Sequence, residues 1–202
     1  MKVLFLSVTA GQGHNQTGKA AMECLREQSI ECTMMDTFEY INPILKKSIS
    51  QGYLISTKLT PALYGRMYRL AEKLEKNNVK MNINRLTNTV FAKKLKYYIL
   101  GYAPDVIVCT HIFSAQILTL IAKKARLKAR TIGIVTDYTI HPFWEETDLD
   151  YYIIANELLT RQAVKKGIPE ERLKPIGIPI YKKFADKIST EEARTLLNIE
   201  NK

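Results

Sequence analysis

The chain has 202 residues, of which 46% are hydrophobic and 25% charged, the make-up of an ordinary globular protein with enough apolar surface for one large domain. No run approaches the roughly 20 apolar residues that cross a bilayer. Cys24, Cys32 and Cys109 stand in apolar sequence without C-x-x-C spacing, so they indicate neither a disulfide framework nor a zinc site and fit a reducing cytoplasm.

The N-terminal run Val3 to Val8 is too short for a signal peptide and leads into glycines instead of a cleavage site, so it is expected to be a first strand. Gly11 to Gly13 form a tight loop, and Ala20, Ala21, Cys24 and Leu25 recur at helical spacing after it. A strand, a glycine loop and a helix start aim backbone N–H groups at one place, which suits an anion. His14, able to take a proton near neutral pH, sits within that junction. A second strand is expected over 30–36, and a helical insertion over 42–101, with Pro43 and Pro61 at helix starts.

Between Tyr40 and Leu100 twelve basic residues face two acidic ones, which accounts for the whole net charge of +10. An anionic partner is therefore expected at this segment. One reading packs its apolar stripe on the sheet and leaves the lysines in water. The other makes it a membrane surface, with Lys46, Lys47, Lys58, Arg66, Arg69 and Lys73 meeting anionic headgroups. No nucleic-acid-binding motif accompanies the charge. Further strands are expected over 105–110, 131–136 and 151–155, with a weak one over 173–178, and helices over 114–125 and 157–166. The alternation is that of a doubly wound parallel α/β sheet. Residues 1–185 are expected to form one domain, and 186–202 the start of a linker to a further, C-terminal domain that this chain lacks.

Each of the three histidines, His14, His111 and His141, follows an expected strand, which puts all three at the ligand-binding edge of a parallel sheet. With Asp137 they could ligate a metal, but no zinc-helix spacing is present and no metal is expected. Asp137, His141 and the single tryptophan, Trp144, share the loop after the 131–136 strand, a set suited to a hydroxyl-bearing ligand. The alternative for Trp144 is a core position. A degenerate P-loop runs from Gly13 to Ala20, where alanine replaces the magnesium-binding hydroxyl.

Thr9 to His14, the basic helical segment, Pro104 to His111, Thr136 to Trp144 and Gly177-Ile-Pro179 together resemble the N-terminal domain of the monogalactosyldiacylglycerol synthase family, which includes processive diacylglycerol glucosyltransferases. The resemblance implies a Rossmann-like domain, the N-terminal half of a glycosyltransferase-B fold. It implies inverting transfer of a hexose from a UDP-sugar to diacylglycerol, at the inner face of the cell membrane, without a cofactor or metal. Carried onto this sequence, His14 or Asp137 is the general base, and Gly11, Gly13, His111, His141 and Trp144 line the substrates. A chain without the donor half is expected to be inactive alone. The other readings are a P-loop-like nucleotide binder and a non-catalytic anionic-lipid-binding module.

Overall fold

Successive residues of a strand point to opposite faces, and the first strand is apolar on both: Leu4 and Leu6 on one side, Val3 and Phe5 on the other, none more than 2% exposed. Such a strand belongs inside a parallel sheet covered on both faces. A computed structural model of the chain, which describes residues 1–9, 12–41, 90–185 and 188–199, shows that sheet. Its strands are β1 (Lys2–Ser7), β2 (Glu31–Asp36), β3 (Val106–Cys109), β4 (Arg130–Ile134), β5 (Tyr151–Ile153) and β6 (Leu173–Lys174). They are all parallel, in the order β2-β1-β3-β4-β5-β6.

The described helices, in chain order, are α1 (Gly13–Glu27), α2 (Thr37–Ile41), α3 (Val90–Tyr102), α4 (Ile112–Ala125), α5 (Thr160–Lys165) and α6 (Thr190–Leu196). α1 lays Ala21, Met22 and Leu25 on the face carrying Val3, Phe5 and Val108. α3 and α4 cover the opposite face, where Leu95, Ile99, Ala115, Leu118 and Ile121 pack on Leu4, Leu6, Ile107 and Cys109. Helices on both faces make the fold the doubly wound, Rossmann-like α/β architecture read from the sequence. Each fully buried leucine, isoleucine or phenylalanine contributes about 1.5–3 kcal/mol. The β1–β3 pair, apolar on both faces, is therefore the best-anchored part of the sheet, and the ends of these two strands carry the candidate site.

Two glycines permit close packing. A Cβ on Gly18 would lie 2.9 Å from Met34 Cε and 3.3 Å from Thr110 Cγ2, so α1 comes close to β2 and the end of β3 at this point. On Gly133 a Cβ would lie 2.9 Å from Trp144 Cζ3 and 3.0 Å from Leu149 Cδ1.

Some boundaries differ from expectation, for local reasons. The last strand stops at Lys174 because Pro175 has no N–H to extend the ladder and Gly177, at φ 97°, turns the chain. The 157–166 helix divides into a 3₁₀ turn, Glu157–Leu159, capped by the Asn156 side chain, and α5. Cys24 is exposed, not in an apolar environment, whereas Cys32 and Cys109 are buried. Helix begins at Thr37, directly after β2, and α3 confirms helix at the far end of the expected insertion. The rest of that insertion, with Lys46, Lys47, Lys58, Arg66, Arg69 and Lys73, lies outside the described residues, as does Gly11. Among the described residues no helix is long and apolar enough to cross a membrane.

Candidate active site

In a doubly wound sheet the crevice opens where successive connections leave in opposite directions, at the carboxyl ends of the strands. Here that point lies between β1 and β3, since β2 lies on one side of β1 and the later strands on the other. The loop after β1 leads to His14, the second residue of α1, and β3 leads through Thr110 to His111.

The β1 loop is braced by side chains. Ser7 Oγ donates to Asn15 Oδ1 at 2.6 Å, and Asn15 Nδ2 donates to Thr9 Oγ1 at 3.1 Å. Asp36, at the end of β2, accepts from the backbone N–H groups of Thr9 and Glu39 at 2.8 and 2.9 Å. Gly13 is exposed, and a Cβ there would meet nothing within 4 Å, so the start of α1 presents open backbone. From the far end of the chain Tyr181 donates its hydroxyl to Gln16 Oε1 at 2.8 Å, tying the segment after Gly177 to the first turn of α1.

His14 is half-buried. Its Nδ1 lies 2.8 Å from the Thr110 carbonyl oxygen and 2.8 Å from Thr136 Oγ1, so one imidazole links the ends of β1, β3 and β4. The His111 ring stands edge-on to it, with centroids 4.4 Å apart at 73°. Burial holds the His14 pKa below the usual histidine value, against the Thr110 hydrogen bond and the Asp137 carboxylate, which raise it.

His111 is 6% exposed and is the N-cap of α4, where its Nδ1 accepts the Phe113 N–H at 3.2 Å. Burial pushes its pKa down to about 3, with the neighbouring His14 and His141 adding to the effect. His141 repeats this arrangement in the loop after β4. It caps the 3₁₀ turn Pro142–Glu146, with Nδ1 accepting the Phe143 N–H at 3.2 Å. Asp137 is exposed and influences His14 through its charge.

The three histidines and Asp137 thus gather at one sheet edge, as their positions after strands imply. Trp144 does not join them there. It is 3% exposed, packed against Gly133 and edge-on to Tyr152 at 6.0 Å, which makes it a core residue in place of the expected wall of the acceptor site. Thr136 and the Thr110 carbonyl were not anticipated. The only hint was the threonine directly before Asp137, at the mouth of a strand.

The P-loop reading fails on geometry. A phosphate cradle needs the N–H groups between its glycines unbonded, but α1 already begins at Gly13, and Gln16 N–H donates to the Gln12 carbonyl at 2.9 Å. Gly18 is buried against Met34, which gives it a packing role. Among the described residues no three His, Cys, Asp or Glu side chains are arranged to hold a metal ion.

The chain is 26% identical over 194 residues to the processive diacylglycerol beta-glucosyltransferases of Bacillus cereus (strain AH187) and Bacillus anthracis (strain CDC 684 / NRRL 3495). The match covers 94% of this chain and 48% of each relative, so the chain spans about half the length of these relatives. Among solved structures, Anabaena Alr3699/HepE in complex with UDP-glucose aligns at TM-score 0.54 and 12% identity, over 100% of this chain and 51% of that one. The apo form of the lipopolysaccharide outer core galactosyltransferase WaaB aligns at TM-score 0.51 and 12% identity, over 88% and 45%. These two share the fold, that of one half of a glycosyltransferase-B enzyme. Residues 14–180 match the family described as monogalactosyldiacylglycerol (MGDG) synthase, and with that span the chain belongs to the monogalactosyldiacylglycerol synthase family.

Proposed function

We propose that this chain supplies the acceptor half of an inverting hexosyltransferase acting on diacylglycerol. The free hydroxyl oxygen of diacylglycerol attacks C1 of the hexose in a UDP-sugar as the bond from C1 to the diphosphate breaks. UDP leaves with the bonding electrons, and His14 takes the hydroxyl proton. One observation carries the reading: a half-buried imidazole at the strand-order switch point, with Nδ1 held by Thr110 and Thr136 and no described residue hydrogen-bonded to Nε2. Burial keeps that imidazole neutral at physiological pH, the state a general base needs, and a positioned base contributes about 10² to 10⁴ in rate.

The carboxylate of Asp137 favours the imidazolium that forms. His141 lines the acceptor side, His111 backs the His14 ring from the N-cap of α4, and the start of α1 at Gly13 faces the donor. The UDP group is held by a second Rossmann-like half across the crevice, without a metal. The beta-glucosyltransferase names of the Bacillus relatives and the UDP-glucose bound to HepE support this pair of substrates. Since diacylglycerol resides in a bilayer, the reaction runs at the cytoplasmic membrane surface. There the basic segment, including Lys46, Lys47 and Lys58, meets anionic lipid at about 1 kcal/mol per lysine.

The test supplies UDP-[¹⁴C]glucose or UDP-[¹⁴C]galactose and diacylglycerol vesicles, with or without anionic lipid. The catalysts are the chain itself and a chimera in which it replaces the matching stretch of the Bacillus cereus relative. Labelled glycolipid is expected from the chimera, more of it on anionic vesicles, with a fall of about 10² to 10⁴ on His14→Ala. A folded chimera that binds vesicles but transfers nothing reduces the chain to a lipid-binding module. Transfer that survives His14→Ala removes the base assignment, and equal rates on neutral and anionic vesicles remove the charged-surface role.

A further inference from the structure

The hydrogen-bond partners of His14 decide which of its nitrogens can act. A carbonyl oxygen only accepts, so the Nδ1 that lies 2.8 Å from the Thr110 oxygen carries a hydrogen. Without it, two lone pairs would face each other at that distance. The Thr136 hydroxyl oxygen, also 2.8 Å from Nδ1, is a second acceptor for the same N–H. A neutral imidazole has one protonated nitrogen, so Nε2 bears the lone pair.

We propose that Thr136, together with the Thr110 carbonyl, is a positioning residue that fixes His14 as the Nδ1–H tautomer and so makes Nε2 the atom that receives the acceptor's proton. This rests on the reading of His14 as the base. The pair takes the place of the carboxylate that orients a catalytic histidine in many enzymes. When Nε2 takes the proton, the Nδ1–H bond to the Thr110 carbonyl becomes charge-assisted and roughly twice as strong. Both partners stand at the carboxyl edge of the sheet: Thr110, fully buried, directly follows β3, and Thr136 lies two residues beyond β4. The titratable groups facing this imidazole are His111 at the N-cap of α4, Asp137 on the loop after β4, and His141 through its influence on His111. His111 stays neutral at physiological pH and adds no opposing charge.

The other two histidines supply an internal control. His111 and His141 each use Nδ1 as the acceptor of a backbone N–H, so their hydrogens sit on Nε2. With three histidines in the sequence, long-range ¹H–¹⁵N spectra of the [¹⁵N]histidine-labelled chain at pH 8 should show two Nε2–H rings and one Nδ1–H ring, that of His14. Thr136→Val removes one acceptor at nearly constant shape. It should raise the Nε2–H fraction of His14 and lower its protonation midpoint by about half to one pH unit, with unchanged His111 and His141 signals reporting an intact fold. Thr136→Ser should restore both. In the transfer assay Thr136→Val should lower kcat and leave KM unchanged. A wild-type His14 found as the Nε2–H tautomer overturns the proposal, as does a Thr136→Val chain with wild-type tautomer and midpoint. The spectra need no substrate, so they report on the tautomer whether or not the chain transfers a hexose.

Discussion

The starts of α1 and α4 leave neighbouring strands at the same sheet edge, and each carries a histidine, yet the two side chains have opposite uses. His111 is the N-cap of α4, and its Nδ1 accepts the Phe113 N–H. His14 stands two residues inside α1, beyond an N-cap, Gln12, whose side chain makes no capping bond. Its ring therefore reaches sideways, to the ends of β3 and β4. A shift of two positions along a helix start turns a histidine from a cap into a link between strands. The capping ring is buried and electrostatically inert near neutral pH; the linking ring keeps one nitrogen without a described partner.

The widest consequence of that difference is in acid stability. The His111 pKa is about 3 in the folded chain against an ordinary value of 6.5. As pH falls the unfolded chain takes the proton first, so this histidine leaves stability intact above 6.5 and removes it on the way down toward 3. Between pH 7 and pH 5 the loss is about 2 kcal/mol. His14, shifted the same way, adds to it. His111→Asn keeps a side-chain oxygen for the cap and abolishes the titration. Its urea midpoint should move less between pH 7 and pH 5 than that of the wild type. The same pH dependence in both proteins would mean that the ring is solvated and titrates normally.

Much of this arrangement could be read from the chain. Apolar runs followed by His14, His111 and His141 placed those residues at one edge, because a parallel α/β sheet leaves few other places for the residues after a strand. The length of β6 could also have been read, since Pro175 forbids its extension. The link from His14 to Thr136 could not. It crosses 122 residues and depends on β3 lying between β1 and β4, a matter of strand order. The Thr110 partner is a main-chain carbonyl, which carries no residue signature at all. Trp144 had a loop and a histidine for neighbours in sequence, but the space above Gly133 in β4 drew the indole inward. Gly18 looked like the last glycine of a phosphate loop, while its cause is the approach of α1 to Met34 and Thr110.

The two packing glycines sharpen the contrast between the linking histidine and the rest of the edge. Gly133→Ala would push a methyl group against Trp144 Cζ3 and Leu149 Cδ1, both in side chains no more than 3% exposed, and an indole so enclosed cannot swing aside. Overpacking of this kind costs about 1–3 kcal/mol, visible as a lower urea midpoint. The nearest atom to a new methyl on Gly18 is instead the tip of a methionine, Met34 Cε, at the end of three rotatable bonds. Alanine inside a helix is also favoured over glycine by about 1 kcal/mol, so Gly18→Ala should leave stability within about 0.5 kcal/mol of wild type. Thr110 Cγ2 is the second neighbour, at 3.3 Å, and its residue holds His14 through the carbonyl. If Met34 yields, the His14 tautomer stays as it is and only the core repacks. A Gly18→Ala chain of unchanged stability whose His14 shifts toward the Nε2–H form would show that Thr110 moved in its place, and that the alignment of the base depends on how closely α1 approaches the end of β3.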